Sequence, residues 1–274
     1  MIESEQVIRL SCFATVMMAM ALLEMLIPRR VLLLSRWKRW TSNLSITLIN
    51  TLAVRIIFPT AAVGVALYAQ VNSLGILNVT SLPMWASVII SIIFLDFVIY
   101  LQHVMFHALP LFWRIHRMHH VDLDFDVTTG IRFHPLEIVM SLFIKFAAII
   151  LMGTPAVSVI IFEVLLNATS LFNHGNIKLP GLLDRVLRWL MVTPDMHRVH
   201  HSDIPNETNS NFGFNLSVWD RLMGTYREQP KLGQTGMHIG IQSIRDEKDC
   251  VSLTGMLALP LINTDDDYPI NRIS

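Results

Sequence analysis

Residues 84–120, MWASVIISIIFLDFVIYLQHVMFHALPLFWRIHRMHH, combine a long apolar run with a group of histidines. Its apolar run over residues 84–106 is long enough to cross a bilayer as a helix. The run ends inside a first histidine box, His103-Val-Met-Phe-His107, and Pro110 should end the helix because proline cannot continue it. A second box, His116-Arg-Met-His119-His120, follows directly. The stretch therefore predicts a membrane helix that leads into a metal-binding segment.

The composition of the whole chain also indicates a membrane protein. The 274 residues are 53% hydrophobic and 15% charged, whereas about a quarter of the residues in a soluble domain are charged. Further apolar segments cover residues 10–26, 44–68 and 135–172. The formal net charge is zero, so nothing indicates a nucleic-acid partner. We expect an all-α, multi-pass transmembrane helical bundle with about four to five apolar segments.

Basic residues are distributed unevenly between the loops, which predicts the orientation. The loop after the first span carries Arg29, Arg30, Arg36, Lys38 and Arg39, whereas the loop 71–83 carries no basic residue. Because Lys and Arg accumulate in cytoplasmic loops, we expect the first loop, the histidine boxes and the tail 173–274 on the cytoplasmic side. Residues 135–172, interrupted by Gly153-Thr154-Pro155, form either two short spans or a hairpin within one leaflet.

These expectations combine into one membrane-embedded domain covering residues 1–274. Residues 1–83 supply the amino-terminal spans. Residues 84–274 supply the histidine-box catalytic region, and their tail is expected to form a cytosolic helical cap. Asp96 lies deep in an apolar segment, where a charge is costly. It is expected either to orient a histidine from another helix or to pair with Arg55 or Lys145.

Ten of the 11 histidines lie between His103 and His201. The third box is His197-Arg-Val-His200-His201, and Thr193 and Pro194 before it predict a helix start. Histidines at i, i+3 and i+4 share one face of a helix, and neutral imidazole is the commonest protein ligand for transition metals. So many imidazoles exceed what one ion accepts, which predicts two ions. The candidate metal ligands are His103, His107, His116, His119, His120, His134, His174, His197, His200 and His201.

The pattern leaves the metal and one alternative function open. An all-nitrogen ligand set suits iron, zinc and manganese, but only a redox metal activates oxygen. The alternative is a membrane protein on the same scaffold that binds metal for transport or without catalysis. A transporter would hold its ligands near the middle of the membrane, whereas these boxes lie at the ends of apolar segments. His238, far down the tail, is expected to be structural or exposed.

Taken together, the motifs resemble those of the fatty acid hydroxylase / sterol desaturase superfamily over about residues 85–270. Ser170 stands where some members carry a further histidine. The matching segments are His103-x-x-x-His107, His116-x-x-His119-His120, Arg132-x-His134-Pro135-x-Glu137, His197-x-x-His200-His201, Asn211-Phe-Gly213-Phe-Asn215 and Trp219-Asp220-Arg221-Leu-Met-Gly224-Thr225-Tyr226.

The resemblance implies two iron ions held by the box histidines, although zinc is able to occupy such a site in a purified protein. It implies O2-dependent hydroxylation or desaturation of a lipid, either fatty acyl, sterol or related. The electrons would come from a ferredoxin, a cytochrome b5 or a reductase. Because the chain shows no G-x-G-x-x-G fingerprint, we expect that donor to be a separate protein. No catalytic acid or base beyond the metal ligands is expected.

Overall fold

The computed structural model describes residues 4–58, 61–264 and 268–270. This part of the chain is helical, and its only β-contacts are isolated bridges. Short 3-10 turns cover Ile76–Asn78, Val127–Ile131 and Leu259–Leu261. The α-helices are α1 (Glu5–Leu26), α2 (Arg36–Ile57), α3 (Ala61–Val71), α4 (Met84–Ala108), α5 (Pro110–His120), α6 (Pro135–Met152), α7 (Ala156–Asn173), α8 (Gly181–Leu187), α9 (Pro194–His200), α10 (Pro205–Thr208), α11 (Val218–Leu222), α12 (Gly233–Gly236), α13 (Glu247–Cys250) and α14 (Leu253–Ala258).

Within the described residues, five helical segments are long and apolar enough to cross a membrane. They are α1, the segment Arg36–Val71 that contains α2 and α3, α4, α6 and α7. The predicted all-α, multi-pass architecture is therefore confirmed. The remaining helices are short, because no other part of the chain carries an apolar run of spanning length.

Residues 135–172 form two antiparallel helices, α6 and α7. Between them Gly153 takes the left-handed conformation at φ 73°, which glycine adopts without steric cost. This turn packs against the loop between α3 and α4 so closely that a Cβ on Gly75 would lie 2.2 Å from the Gly153 nitrogen. The turn therefore lies at the end of the bundle remote from the histidine boxes. This position favours two full spans over a hairpin within one leaflet.

At the other end of the bundle, α2 begins beside the loop that follows the second box. The buried Arg39 guanidinium donates to Asp122 at 2.7 Å and also to Asp126. Asn43, one turn further on, donates to the Thr128 hydroxyl at 2.9 Å. Burial alone would raise the pKa of Asp122, but Arg39 and Arg132 hold it at about 2. A buried charge is tolerated only when it is paired in this way, so these contacts fix α2 against the cap.

The helix that carries the third box begins as predicted, and the helix that carries the second box begins at the proline that was expected to end α4. Pro110 is the first residue of α5, which follows α4 after a break of one residue. The Thr193 hydroxyl accepts the Met196 N–H at 3.4 Å, and Pro194 is the first residue of α9. Both starts use a proline where its missing N–H leaves no bond unmade.

Neither role expected for Asp96 is correct. Its carboxylate accepts the N–H groups of Asn215 at 3.3 Å and Leu216 at 3.1 Å, and the indole N–H of Trp219 at 2.8 Å. Lys145, its expected partner, instead donates to Glu163 at 2.9 Å. Asp96 therefore joins the middle of α4 to the start of α11 and to the residues just before it. Sequence spacing could not show this, because the partners are more than a hundred residues away.

Candidate metal centre

The structure brings nine of the ten candidate histidines together in two adjacent sets, all of them buried. Within each set, one ligand nitrogen from every residue lies within 4.8 Å of the others. The rings of His120 and His201, one from each set, stack with 4.6 Å between their centroids. Set A consists of His103, His107, His116, His120 and His200. Set B consists of His119, His174, His197 and His201.

Each His-x-x-His-His box places its histidines i and i+4 in one set and its histidine i+3 in the other. His116 and His120 belong to set A, and His119 between them belongs to set B. In the third box, His197 and His201 belong to set B and His200 to set A. At about 100° per residue, positions i and i+4 lie about 40° apart, whereas i+3 lies about 60° to the other side. The spacing therefore lets one short helix serve two neighbouring sites.

Six of the nine histidines use Nδ1 for a hydrogen bond to an oxygen, which turns Nε2 toward the centre of the set. A metal-bound histidine is normally fixed through its other nitrogen in this manner. The pairs are His103 with Phe212 O (2.8 Å), His107 with Asn209 Oδ1 (3.0 Å), His116 with Glu137 Oε1 (2.7 Å), His119 with Arg132 O (3.3 Å), His174 with Ser170 O (2.7 Å) and His200 with Ser210 O (2.7 Å).

The spacing of the inward nitrogens fits ions that they would share. The Nε2 atoms of His107 and His120 are 3.1 Å apart. The Nε2 atom of His174 lies 3.1 Å from the Nε2 atoms of both His119 and His197. Two nitrogens bound to one ion at about 2.1 Å are separated by about 3.0 Å at a right angle and about 3.4 Å in a tetrahedron. Buried Nε2 atoms of His103, His200 and His201 have no hydrogen-bond partner. One metal ion in each set would satisfy these lone pairs.

The electrostatics of the centre favour neutral imidazoles, which is the form that binds a metal. Burial, and next the neighbouring imidazoles, hold the pKa of His119, His120, His197, His200 and His201 well below the ordinary value. Burial lowers the pKa of His174 to about 4. These side chains therefore stay uncharged at neutral pH even without an ion.

His134, the tenth candidate, lies outside both sets. Its Nδ1 accepts the Leu136 N–H at 3.2 Å, so the side chain caps the start of α6. Its Nε2 lies 3.3 Å from the Leu257 carbonyl oxygen. Histidine at this position thus has a local structural use that the motif alone did not reveal. His238 is exposed, as expected, with 68% of its side chain accessible.

The residues that orient the ligands could not be recognised from the sequence alone. Glu137, although part of a quoted motif, was not linked to His116, which lies 21 positions earlier. Asn209 was not singled out. The other partners are backbone carbonyls, whose positions depend on how distant loops pack and leave no signal in residue type. Gly130 also bears on the position of a ligand, because a Cβ on it would lie 3.0 Å from His174 Nδ1.

A cavity of about 500 Å³ leads from the centre into the helical bundle. His103, His116 and His119 line one end, and Phe58, Ile99 and Leu142 are among the apolar residues further along. Helices α1, α2, α4, α6 and α7 contribute to its walls. The cavity therefore connects the buried imidazoles with the region between the candidate membrane spans.

Comparison with known proteins gives one family match. The fatty acid hydroxylase family model matches residues 88–225, which is half of the chain and includes every histidine of both sets. An ornithine lipid hydroxylase, OlsE, from Rhizobium tropici is 30% identical over 159 residues. Alkylglycerol monooxygenases from Xenopus tropicalis and Homo sapiens are 29% and 28% identical over 136 and 134 residues.

These alignments cover only part of each relative. The match to the ornithine lipid hydroxylase spans 57% of this chain and 46% of that protein. The match to the Xenopus alkylglycerol monooxygenase spans 48% of this chain and 28% of that protein. No solved structure matches the chain.

Proposed function

Since the chain belongs to the fatty acid hydroxylase family, we propose that it is an oxidoreductase that uses O2 and two electrons to oxidise a lipid at two iron ions. The observation that carries this proposal is the pair of buried histidine sets at the end of a cavity between membrane helices. Relatives named as a hydroxylase and a monooxygenase favour insertion of oxygen over formation of a double bond.

The proposed ligands of one ion are the five histidines of set A, and those of the other are the four of set B. We leave His134 out because it caps α6. Iron suits the proposal better than zinc, because activation of O2 needs a metal that changes its oxidation state, whereas zinc has no redox chemistry. The unpartnered nitrogens and the absence of a carboxylate from both sets, among the described residues, are equally compatible with zinc in a purified protein.

The protein's own residues would position the lipid and exclude water. The apolar walls near Ile99 and Leu142 would hold a hydrocarbon segment, and its oxidised carbon would lie beside His103, His116 and His119 at the end of the cavity. The carbonyl and carboxylate partners of the Nδ1 atoms would fix the rings before substrate arrives. Burial of the centre would limit side reactions with water.

Electrons would reach the centre from a separate ferredoxin, cytochrome b5 or reductase, and the cap would face the cytoplasm. Two contacts support placing the basic first loop on the same side as the histidines. Arg29 pairs with Asp195 of α9 at 3.0 Å, and Arg30 donates to the Met237 carbonyl at 2.7 Å. A basic loop is typical of the cytoplasmic side.

The direct test uses 18O2. Membranes that contain the chain, supplied with reductant and a donor protein, would be incubated under 18O2, and their lipids compared by mass spectrometry with membranes that contain His200→Ala. We expect lipids heavier by one 18O atom in the first sample alone. Lipids that lose two hydrogens without 18O would indicate a desaturase. Identical lipids in both samples across several donors and lipid extracts would contradict the proposal.

Metal analysis distinguishes an oxygen-activating enzyme from a non-catalytic metal-binding protein. Purified protein is expected to hold close to two irons and to change its absorption spectrum when dithionite and then O2 are added. His119→Ala removes a set B ligand and His200→Ala a set A ligand, so each should lower the iron content and abolish activity. His238→Ala, an exposed control, should do neither. Zinc alone, with no response to dithionite in protein grown with ample iron, would favour the transport or structural alternative.

A further inference from the structure

Two short helices outside the metal centre, with the residues that follow them, carry seven exposed apolar side chains. They lie on α8, on the turn that follows it and at the end of α11, and their exposed fractions range from 46% to 73%. Isolated exposed apolar residues are ordinary, whereas a cluster of this kind marks an interaction surface. We call it the α8–α11 surface; it consists of Leu182, Leu183, Val186, Trp189, Leu190, Leu222 and Met223.

Contacts with α4 fix how deep this part of the chain lies. Asp96, the thirteenth of the 25 residues of α4, binds Asn215, Leu216 and Trp219. A hydrocarbon core about 30 Å thick takes up about 20 helical residues. Whichever end of α4 protrudes, an upright α4 places Asp96 at least about 10 Å inside the core. The segment bound to Asp96 therefore lies below the membrane border, against the buried side of α4 that carries Asp96.

The exposed residues of α8 are attached to this deep segment. Met191 and Leu216 form an antiparallel bridge. The Ser217 N–H donates to the Leu190 carbonyl at 3.2 Å, and the rings of Trp219 and Phe97 of α4 are 4.7 Å apart. Leu190 and Met191 are consequently held against the segment that Asp96 binds.

The charges of the same two segments are arranged as at a membrane interface. Residues 181–191 and 214–224 contain two carboxylates, and each has partners within the protein. Asp184 pairs with Arg188 at 2.7 Å, and Asp220 accepts three hydrogen bonds. The exposed charge is Arg185, whose long side chain can reach lipid phosphate while its stem stays in apolar surroundings. Arg221 stacks 4.5 Å from the Trp189 ring. Tryptophan and arginine together are typical of membrane interfaces.

We propose that the α8–α11 surface is immersed in the leaflet next to the histidine sets, so that this part of the cap is a membrane-embedded element. Its partner is the lipid bilayer, with acyl chains against Leu190, Leu222 and Met223 and headgroups near Arg185. The position of Asp96 in α4, the exposed apolar side chains and the engagement of both carboxylates all fit such surroundings. The proposal depends on α4 crossing the membrane and is independent of the proposed enzymatic activity.

The test places single cysteines on and off this surface. In a Cys12→Ser background, where the remaining Cys250 is buried, the variants are Trp189→Cys, Leu222→Cys and the control Lys248→Cys, whose side chain is 75% exposed. Each protein is reconstituted at one chain per phosphatidylcholine nanodisc, whose two faces are open to solvent. The readouts are the rate of reaction with a charged maleimide and, after bimane labelling, quenching by lipids with a doxyl group on the acyl chain.

We expect positions 189 and 222 to react about tenfold or more slowly than position 248, and bimane at 189 and 222 alone to be quenched by the doxyl lipid. Reaction at the control rate would show that the surface faces water and would overturn the proposal. Slow reaction without quenching would also overturn it, because protein rather than lipid would then cover the surface. Two positions are used so that a folding defect in one variant, seen by gel filtration, leaves the other informative.

Discussion

The distribution of the histidines between the two sets follows from their spacing along two short helices. In a His-x-x-His-His box, positions i and i+4 belong to one set and i+3 to the other. Two boxes of opposite assignment supply three histidines to each set, and His103, His107 and His174 complete them. Six of the nine imidazoles are then fixed by a partner at Nδ1. Where that partner is a side chain, as Glu137 is for His116, its contribution can be measured.

Replacement of Glu137 by glutamine should weaken iron binding without unfolding the protein. The amide oxygen can still accept from His116 Nδ1, but the charge that strengthens the hydrogen bond is lost. Changes to such partners typically cost about 10-fold to 100-fold in metal affinity or activity. We expect Glu137→Gln to lower the affinity for iron by part of this range and Glu137→Ala to lower it further. The measurement is the iron that each protein retains against a chelator. Equal retention in wild type and Glu137→Ala would show that the carboxylate does not position the ligand.

His134 offers a test that separates a cap from a ligand. Asparagine is a good residue at a helix start, whereas alanine costs about 1 kcal/mol there. We therefore expect His134→Asn to keep full iron and near wild-type stability. His134→Ala should keep full iron but unfold at lower temperature. Loss of one iron equivalent in both variants would instead make His134 a ligand.

At the scale of elements, the centre depends on close packing between the turn Val127–Ile131 and the end of α7. Ser170 donates its hydroxyl to the Gly130 carbonyl at 2.7 Å, and the Ser170 carbonyl accepts from His174. A Cβ on Gly130 would lie 2.7 Å from that Ser170 oxygen. Because this atom belongs to the backbone of α7, the contact cannot be relieved by a rotamer change.

Replacement of Gly130 by alanine should therefore displace the end of α7 and with it His174. We expect Gly130→Ala to lose iron from set B first, leaving roughly one equivalent per chain, with a loss of stability of about 1–3 kcal/mol. Iron content and thermal unfolding in detergent would be measured together. Gly181→Ala is the matched control, because a Cβ there meets no atom within 4 Å. Unchanged iron in Gly130→Ala would show that α7 tolerates the added methyl group.

At the scale of the molecule, the buried histidines make the stability of the metal-free protein depend on pH. Burial lowers the pKa of His174 to about 4 and that of His119, His197 and His201 well below the ordinary value. The unfolded chain takes up protons near pH 6.5 and the folded chain does not. The stability is therefore complete above about pH 6.5 and is lost as the pH falls toward 4, because protons bind the unfolded state preferentially.

Each such histidine contributes a loss of up to about 1.4 kcal/mol per pH unit in that window. Protein stripped of metal should consequently unfold at lower temperature at pH 5.5 than at pH 7.5. Protein loaded with iron should show the same decrease only at lower pH, since the metal competes with protons. A flat unfolding temperature from pH 7.5 to 5.5 in the stripped protein would contradict this expectation.

Local sequence patterns predicted the helical membrane architecture with about four to five apolar segments, the end of α4 before Pro110 and the helix start of the third box. Hydrophobic length, proline position and helical periodicity are local properties, so they can be read directly from neighbouring residues. The same periodicity placed His116 and His120 on one face of α5.

The hydrogen-bond partners of these elements, in contrast, depend on the tertiary structure. The carbonyl oxygens that hold His103, His119 and His200 come from loops 10 to 109 positions away. Asp96 binds a distant cap segment rather than a basic side chain, and His134 is used by its own helix. Such pairings depend on how preformed helices pack, and because a backbone carbonyl is present at every residue, no residue type reveals which one will be used.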